Sequence, residues 1–223
     1  APHPSVDQST WVTALAVLAL ADGHSREVLQ PAVSWLLRQE GKESSTLHRL
    51  RLWLLGQGSD VDTSQEGWPW YPETAGWVAP TALTILALKR VDRAGIGVDV
   101  QDRVQAGRSF LMLRRCADGG WNHGSSRALG YEAGSYPEST GLALLALQEI
   151  PAAALTKSFE TAERHFRECR SAEGRSWLRM ALLAHSRPVP DSLVESARCR
   201  TVVDCSLCVL ADAAANGHNL LLG

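Results

Sequence analysis

Three octads constrain this chain more than any other feature: TALAVLAL from Thr13, TALTILAL from Thr81 and TGLALLAL from Thr140. They match at nearly every position, and each opens on a threonine followed by residues that are apolar almost all round. A helix with no polar face is stable where neighbours cover it on every side. Recurrence of such a helix marks an internal repeat, and repeats decide a fold before local propensity does. Segments starting at Thr46, Ser176 and Cys205 keep the same rhythm of a small residue followed by large apolar ones.

Half-polar segments alternate with these: residues 25–39, 98–115, 156–170 and 191–197 carry charge on one face. Apolar helices alternating with amphipathic ones cannot form two independent layers. The economical solution is all-α: one domain over residues 1–223, ordered from about 9 to 215, built as an α/α toroid with apolar helices inside and amphipathic helices outside. Between Trp53 and Thr81 an outer helix is replaced by a Trp-rich loop, so the ring is expected to be irregular or incomplete there.

The chain has 223 residues, with 45% hydrophobic and 21% charged content, enough for a sizeable core in an ordinary globular protein. A net charge of −2 and the lack of a basic run argue against nucleic acid as a partner. No apolar run reaches the roughly 18 residues of a transmembrane segment. Five cysteines, an odd number in a chain too long to need disulfides, predict a reducing compartment and hence a cytoplasmic protein, at most peripheral to a membrane. The opening APHPS lacks a Met, as a removed leader or tag, or a fragment, would. Eight Trp against three Phe and three Tyr leave two readings open: a packing position reused by each repeat, or ring faces kept for a ligand.

The run FLMLRRCADGGW from Phe110 resembles the QW repeat of squalene and oxidosqualene cyclases, with Arg115 where that repeat has Gln. Together with TALTILAL and TGLALLAL it makes residues 10–215 similar to the prenyltransferase and squalene-cyclase repeat superfamily. The resemblance implies an α/α toroid whose inner-helix N-termini, with the loops before them, shape an apolar cavity for an isoprenoid chain. On that reading Trp68, Trp70, Tyr71, Trp77, Trp121, His123, Tyr131 and Tyr136 are the ligand-binding set. Aromatic faces stabilise a cation by roughly 0.5–2 kcal/mol each, which suits a migrating carbocation. An apolar polyene would bind by area, at roughly 25 cal/mol per Å².

The acids are less decisive. Cyclases of this type protonate their substrate with an Asp-x-Asp-Asp motif; here Asp60-Val61-Asp62-Thr63 lacks the third Asp and reads as solvated loop. Glu73 and Glu138 each close a Tyr-Pro-Glu step before an apolar helix and are the candidate catalytic acids. The competing explanation is plain: a Glu near a helix N-terminus is favoured by the helix dipole. Cys116, Asp118 and His123, or Asp204, Cys205 and Cys208 with His185 or His218, offer zinc-type ligands. Neither set has the family's Asp-x-Cys order followed by a distant His, so Asp118 is assigned to turn chemistry, the cysteines to helix packing, and no metal or cofactor is expected. His24, His48 and His165 are placed on outer surfaces.

Two functions follow as expectations. One is a terpenoid-cyclase-like protein that binds an isoprenoid in a Trp-lined cavity, with isomerase or lyase chemistry run by a carboxylic acid. The other is a non-catalytic toroid serving as a binding or scaffold subunit with a protein partner.

Overall fold

The structure, a computed structural model, describes residues 8–23, 26–42, 66–124, 127–128, 131–189 and 199–222. The helix expected from Thr46, the acids Asp60 and Asp62, the segment 191–197, His24 and His48 lie outside them. Among the described residues the chain is all-helical apart from a two-residue antiparallel ladder. It divides into two compact units, Ala1–Arg114 and Arg115–Gly223.

In the first unit, α1 (Thr10–Leu20) packs on α2 (Arg26–Leu37) and on α3 (Val78–Arg93), and α3 packs on α4 (Gln101–Leu113). The octad TALTILAL lies within α3, with every residue from Thr81 to Leu88 buried. By contrast α2 buries only Leu29, Val33 and Leu36, as an amphipathic helix with one covered face should. It runs through Pro31. The crossing of α4 depends on Gly107, where a Cβ would come within 2.5 Å of the Trp68 ring. The turn after α1 is tied to α3 by Arg90, whose Nε donates to Asp22 Oδ1 at 2.8 Å and whose guanidinium pairs with Oδ2. That hydrogen bond holds the Asp22 carboxyl below its ordinary range.

TALAVLAL does not behave like its near-copies. Sequence patterning places α1 under cover on every side, yet Leu15, Ala16 and Ala19 are exposed, Leu15 by 39%. Only Thr10, Ala14 and Val17 of the helix are fully buried. The octad supplies apolar surface all round, and α2 and α3 cover one side of it.

In the second unit a short ladder, β1 (Arg127–Ala128) with β2 (Tyr131–Glu132), precedes α5 (Pro137–Ala146). A 3-10 turn (Ala152–Leu155), α6 (Thr156–Glu168), α7 (Ala172–Ala184) and α8 (Val202–Ala215) follow. Helix α5 packs on α6 and α7, and α7 packs also on α6 and α8. All of Thr140–Leu147 is buried. Helices α5 and α7 approach at Gly141, where a Cβ would lie 2.5 Å from the carbonyl carbon of Trp177. Helix α6 is the amphipathic partner, turning Phe159, Ala162 and Phe166 inward. Helix α8 departs from the inner-helix expectation: Leu207, Ala211 and Ala214 are buried, but Val202, Val203 and Val209 stand out in solvent.

The alignment of small residues has a structural meaning. Thr13, Thr81, Thr140 and Cys205 all occupy the fourth position of their helices, where the backbone N–H bonds back to the N-cap carbonyl: Ser9, Trp77, Tyr136 and Thr201 respectively. Ser176 falls one residue later, and its helix is capped by Ser171, which accepts from Gly174 N. Among the described residues, no helix is long and apolar enough to cross a membrane.

Candidate functional site

The Gly-Trp turns that precede α3 and α5 repeat one hydrogen-bond pattern. In the first unit the Trp68 amide donates to Thr81 Oγ1 at 2.8 Å, and the Trp77 amide donates to the Trp68 carbonyl at 3.0 Å. In the second, the Trp121 amide donates to Thr140 Oγ1 at 3.0 Å, and the Tyr136 amide donates to the Trp121 carbonyl at 2.8 Å. Each threonine thus pins the turn to the helix it opens. The equivalence pairs Tyr136 with Trp77, which corrects the pairing of the two Tyr-Pro-Glu steps suggested by sequence. Glu138 sits in the first turn of α5; Glu73 lies five residues before α3. Its φ of +63° puts Glu73 in the left-handed region, exposed at a turn closed by Thr74 bonding to the Tyr71 carbonyl.

Trp68 and Trp121 are each 0% exposed. Trp68 Nε1 donates to the Leu36 carbonyl at 2.8 Å, and the Arg103 guanidinium lies 3.5 Å from its ring centroid. That guanidinium also donates to the carbonyls of Gln39 and Glu66, at 2.7 and 2.8 Å. Burial brings the Arg103 pKa down to about 10, against the pull of Glu66 and Glu40. Trp68 is therefore the pillar of its loop. The other candidate aromatics of this unit lie nearer the surface: Trp70, set edge-on to Trp11 at 5.9 Å, the half-buried Tyr71, and Trp77, 37% exposed.

The second unit holds the denser cluster, around the N-terminus of α5. Asp118 Oδ1 accepts from the Gly120 amide at 3.1 Å, the turn chemistry expected of Asp-Gly-Gly. Gly119 has a φ of +97° and backs onto the Lys157 backbone; a Cβ on Gly120 would meet Ser135 Cβ at 2.6 Å. Ser135 Oγ donates to Asp118 Oδ2 at 2.7 Å and lies 2.7 Å from His165 Nε2. Arg164 pairs with Asp118 at 3.2 Å, and the Thr161 hydroxyl bonds to the Asp118 carbonyl. Burial pushes the Asp118 carboxyl up, but the bonds from Ser135, Gly120 and Arg164 outweigh it and hold it below the usual range.

Aspartate, serine and histidine stand together here in the wrong order for nucleophilic catalysis. A serine hydroxyl has one proton, and here it is donated in the hydrogen bond to the ionised Asp118. Ser135 Oγ can then only accept from His165 Nε2–H. Burial first, then the charge of Arg164, lower the His165 pKa, opposed by Asp118, Glu168 and Glu138. A neutral imidazole that donates to the serine cannot remove its proton. The chain of bonds locks the turn to α6.

Beside it, His123 lies exposed with its ring 4.9 Å from Tyr136, and its Nδ1 is 3.4 Å from Ser139 Oγ. Tyr136 is 46% exposed, and Glu138 is half-buried. Tyr131 contributes a backbone position in β2. Burial, followed by the charges of Glu138 and Asp204, raises the Glu173 pKa, while the Trp177 side chain opposes it. Burial and Glu138 likewise raise the Cys169 thiol, against a bond to the Ser171 backbone. The N-terminal turns of α5 and α7 thus bring Glu138 and Glu173 within electrostatic reach of one another. Among the described residues, no group of three His, Cys, Asp or Glu side chains is arranged to hold a metal ion.

The sequence pattern did not single out Ser135 or Glu173, and it set His165 on an outer surface. The available signal was Thr161 with His165, a polar i, i+4 pair beside the buried Ala162 and Phe166 of α6. No family model matches the chain, and no curated protein matches it.

Proposed function

We propose that this chain is a non-catalytic binding module of the α/α-toroid type, serving a larger assembly through a protein partner. What carries the reading is the use made of Trp68 and Trp121. In a cyclase-like cavity these rings would face a ligand; here both are fully buried and bonded through their amides to equivalent threonines. The serine-centred network beside α5 is wired for structure. The exposed valines of α8 and Leu15 of α1 supply apolar surface of the kind a partner covers.

A second reading, an isoprenoid-binding protein, is favoured by one observation. Aromatic rings stay accessible beside the N-termini of α3 and α5: Trp70 and Trp77 at one, His123 and Tyr136 at the other. On this reading Glu138 serves as the acid.

Incubation with squalene and with prenyl diphosphates, followed by product analysis, separates the two. The module reading expects no product and no change on Glu138→Gln. Turnover that disappears in Glu138→Gln would establish a cyclase-like isomerase or lyase. Quenching of tryptophan emission by geranylgeraniol, lost in Trp70→Phe, would establish a ligand without chemistry.

A further inference from the structure

Three of the five cysteines gather at the start of α8. Cys199 lies two residues before the N-cap Thr201; Cys205 and Cys208 lie one turn apart on the helix. A capping box fixes this end: Thr201 Oγ1 accepts from the Asp204 amide at 3.0 Å, and Asp204 Oδ2 accepts from the amides of Thr201 and Arg200, each at 3.0 Å. The chain entering α8 is thereby held so that Cys199 Sγ stands 3.3 Å from Cys208 Sγ. The Ser176 hydroxyl, from α7, donates to the same Cys208 sulfur at 3.6 Å.

We propose that Cys199 and Cys208 form a redox pair that closes to an intramolecular disulfide, with a low-molecular-weight disulfide of the glutathione class as electron acceptor. The two sulfurs need to close by about 1.3 Å to reach a disulfide bond of about 2.0 Å. The Ser176 hydroxyl donates to Cys208 Sγ, and the proton shared between Cys199 and Cys208 can come from either sulfur. The bond to Cys208, followed by burial and by Cys205, pushes the Cys199 thiol up to about 12.

The electrons and protons balance in two exchanges. The Cys208 thiolate attacks one sulfur of the acceptor, whose S–S bond breaks; the departing thiolate takes a proton from solvent. Cys199 Sγ then attacks the Cys208 sulfur of the mixed disulfide, and its own proton ends on the second departing thiolate. Two cysteines are oxidised by two electrons, and one disulfide is reduced to two thiols. Cys205, the exposed member of the trio, is not needed for closure.

The test uses the full chain, incubated with oxidised glutathione and then labelled with N-ethylmaleimide. Trypsin cleaves after Arg200, so Cys199 separates from the peptide holding Cys205 and Cys208 unless a disulfide joins them. The expected result is loss of two of the five thiols, a peptide containing Cys199 linked to Cys208, and full reversal by dithiothreitol. Cys205→Ser should keep the link, and Cys199→Ser should abolish it with helicity unchanged by circular dichroism. Equal labelling of Cys199 before and after oxidation would overturn the proposal. So would a link from Cys199 to Cys205 or to a second chain.

Discussion

The hydroxyl of Thr140 lies 3.0 Å from the amide nitrogen of Trp121, and both residues are fully buried. The amide of a buried turn has no water to fall back on, so this one bond decides whether the turn can sit against α5. Thr140→Val keeps the shape and strands the amide. It should destabilise the protein by about 1–3 kcal/mol, read as a lower urea midpoint. Thr140→Ser should recover most of that loss. Thr81→Val, acting on Trp68, should behave alike.

The glycines around the second turn should separate by their surroundings. A methyl at Gly120 meets Ser135 Cβ and Thr140 Oγ1 at 2.6–2.7 Å, so Gly120→Ala should cost about 1–3 kcal/mol. Gly134 has nothing within 4 Å of the same position, so Gly134→Ala should be neutral or stabilising by about 0.4–1 kcal/mol. Thermal denaturation of the two variants side by side checks the contrast. Equal melting temperatures would contradict the packing argument.

Arg103 holds the carbonyls of Gln39, Glu66 and, more loosely, Gly67, and covers the Trp68 ring, a task that needs a planar fork. Arg103→Lys should keep charge but lose the double grip, with a loss of about 1–2 kcal/mol. Arg103→Met should lose more. Denaturant midpoints with unchanged slopes would assign the effect to the folded state.

His185 supplies a pH dependence. Burial lowers its pKa from the ordinary 6.5, against the opposing bond from Nε2 to the Leu144 carbonyl at 2.9 Å. The unfolded chain therefore binds the proton more readily. The stabilisation is complete above about 6.5 and is lost as pH falls through the folded value. His165, lowered in the same direction, adds to it. The urea midpoint should drop between pH 7.5 and 5.5, and His185→Gln should flatten that slope.

How much of this was legible beforehand differs from element to element. The octads at Thr81 and Thr140 announced α3 and α5, because a helix without a polar face has few other places to go. TALAVLAL announced the same and was half wrong: α1 lacks cover over Leu15, and coverage belongs to neighbours that a local pattern does not encode. Threonine alignment was readable because the fourth helical position has a fixed hydrogen-bonding task. The Tyr-Pro-Glu steps misled because identical tripeptides met different backbones, a first helical turn at Glu138 and a left-handed turn at Glu73. Ser135 and His165 were hidden for a related reason, since thirty residues separate groups that touch only once α6 folds back on the turn.

The single proton of Ser135 turns the neighbouring histidine into a spectroscopic reporter. While the turn is seated, His165 must carry its hydrogen on Nε2 and leave Nδ1 bare. The two ring nitrogens then resonate far apart in a ¹⁵N-edited spectrum at neutral pH. Were the turn to lift away, Ser135 would no longer dictate the tautomer, and the two resonances would average toward each other. Occupancy of the seated turn can thus be followed in solution from one imidazole, without a mutation or a ligand.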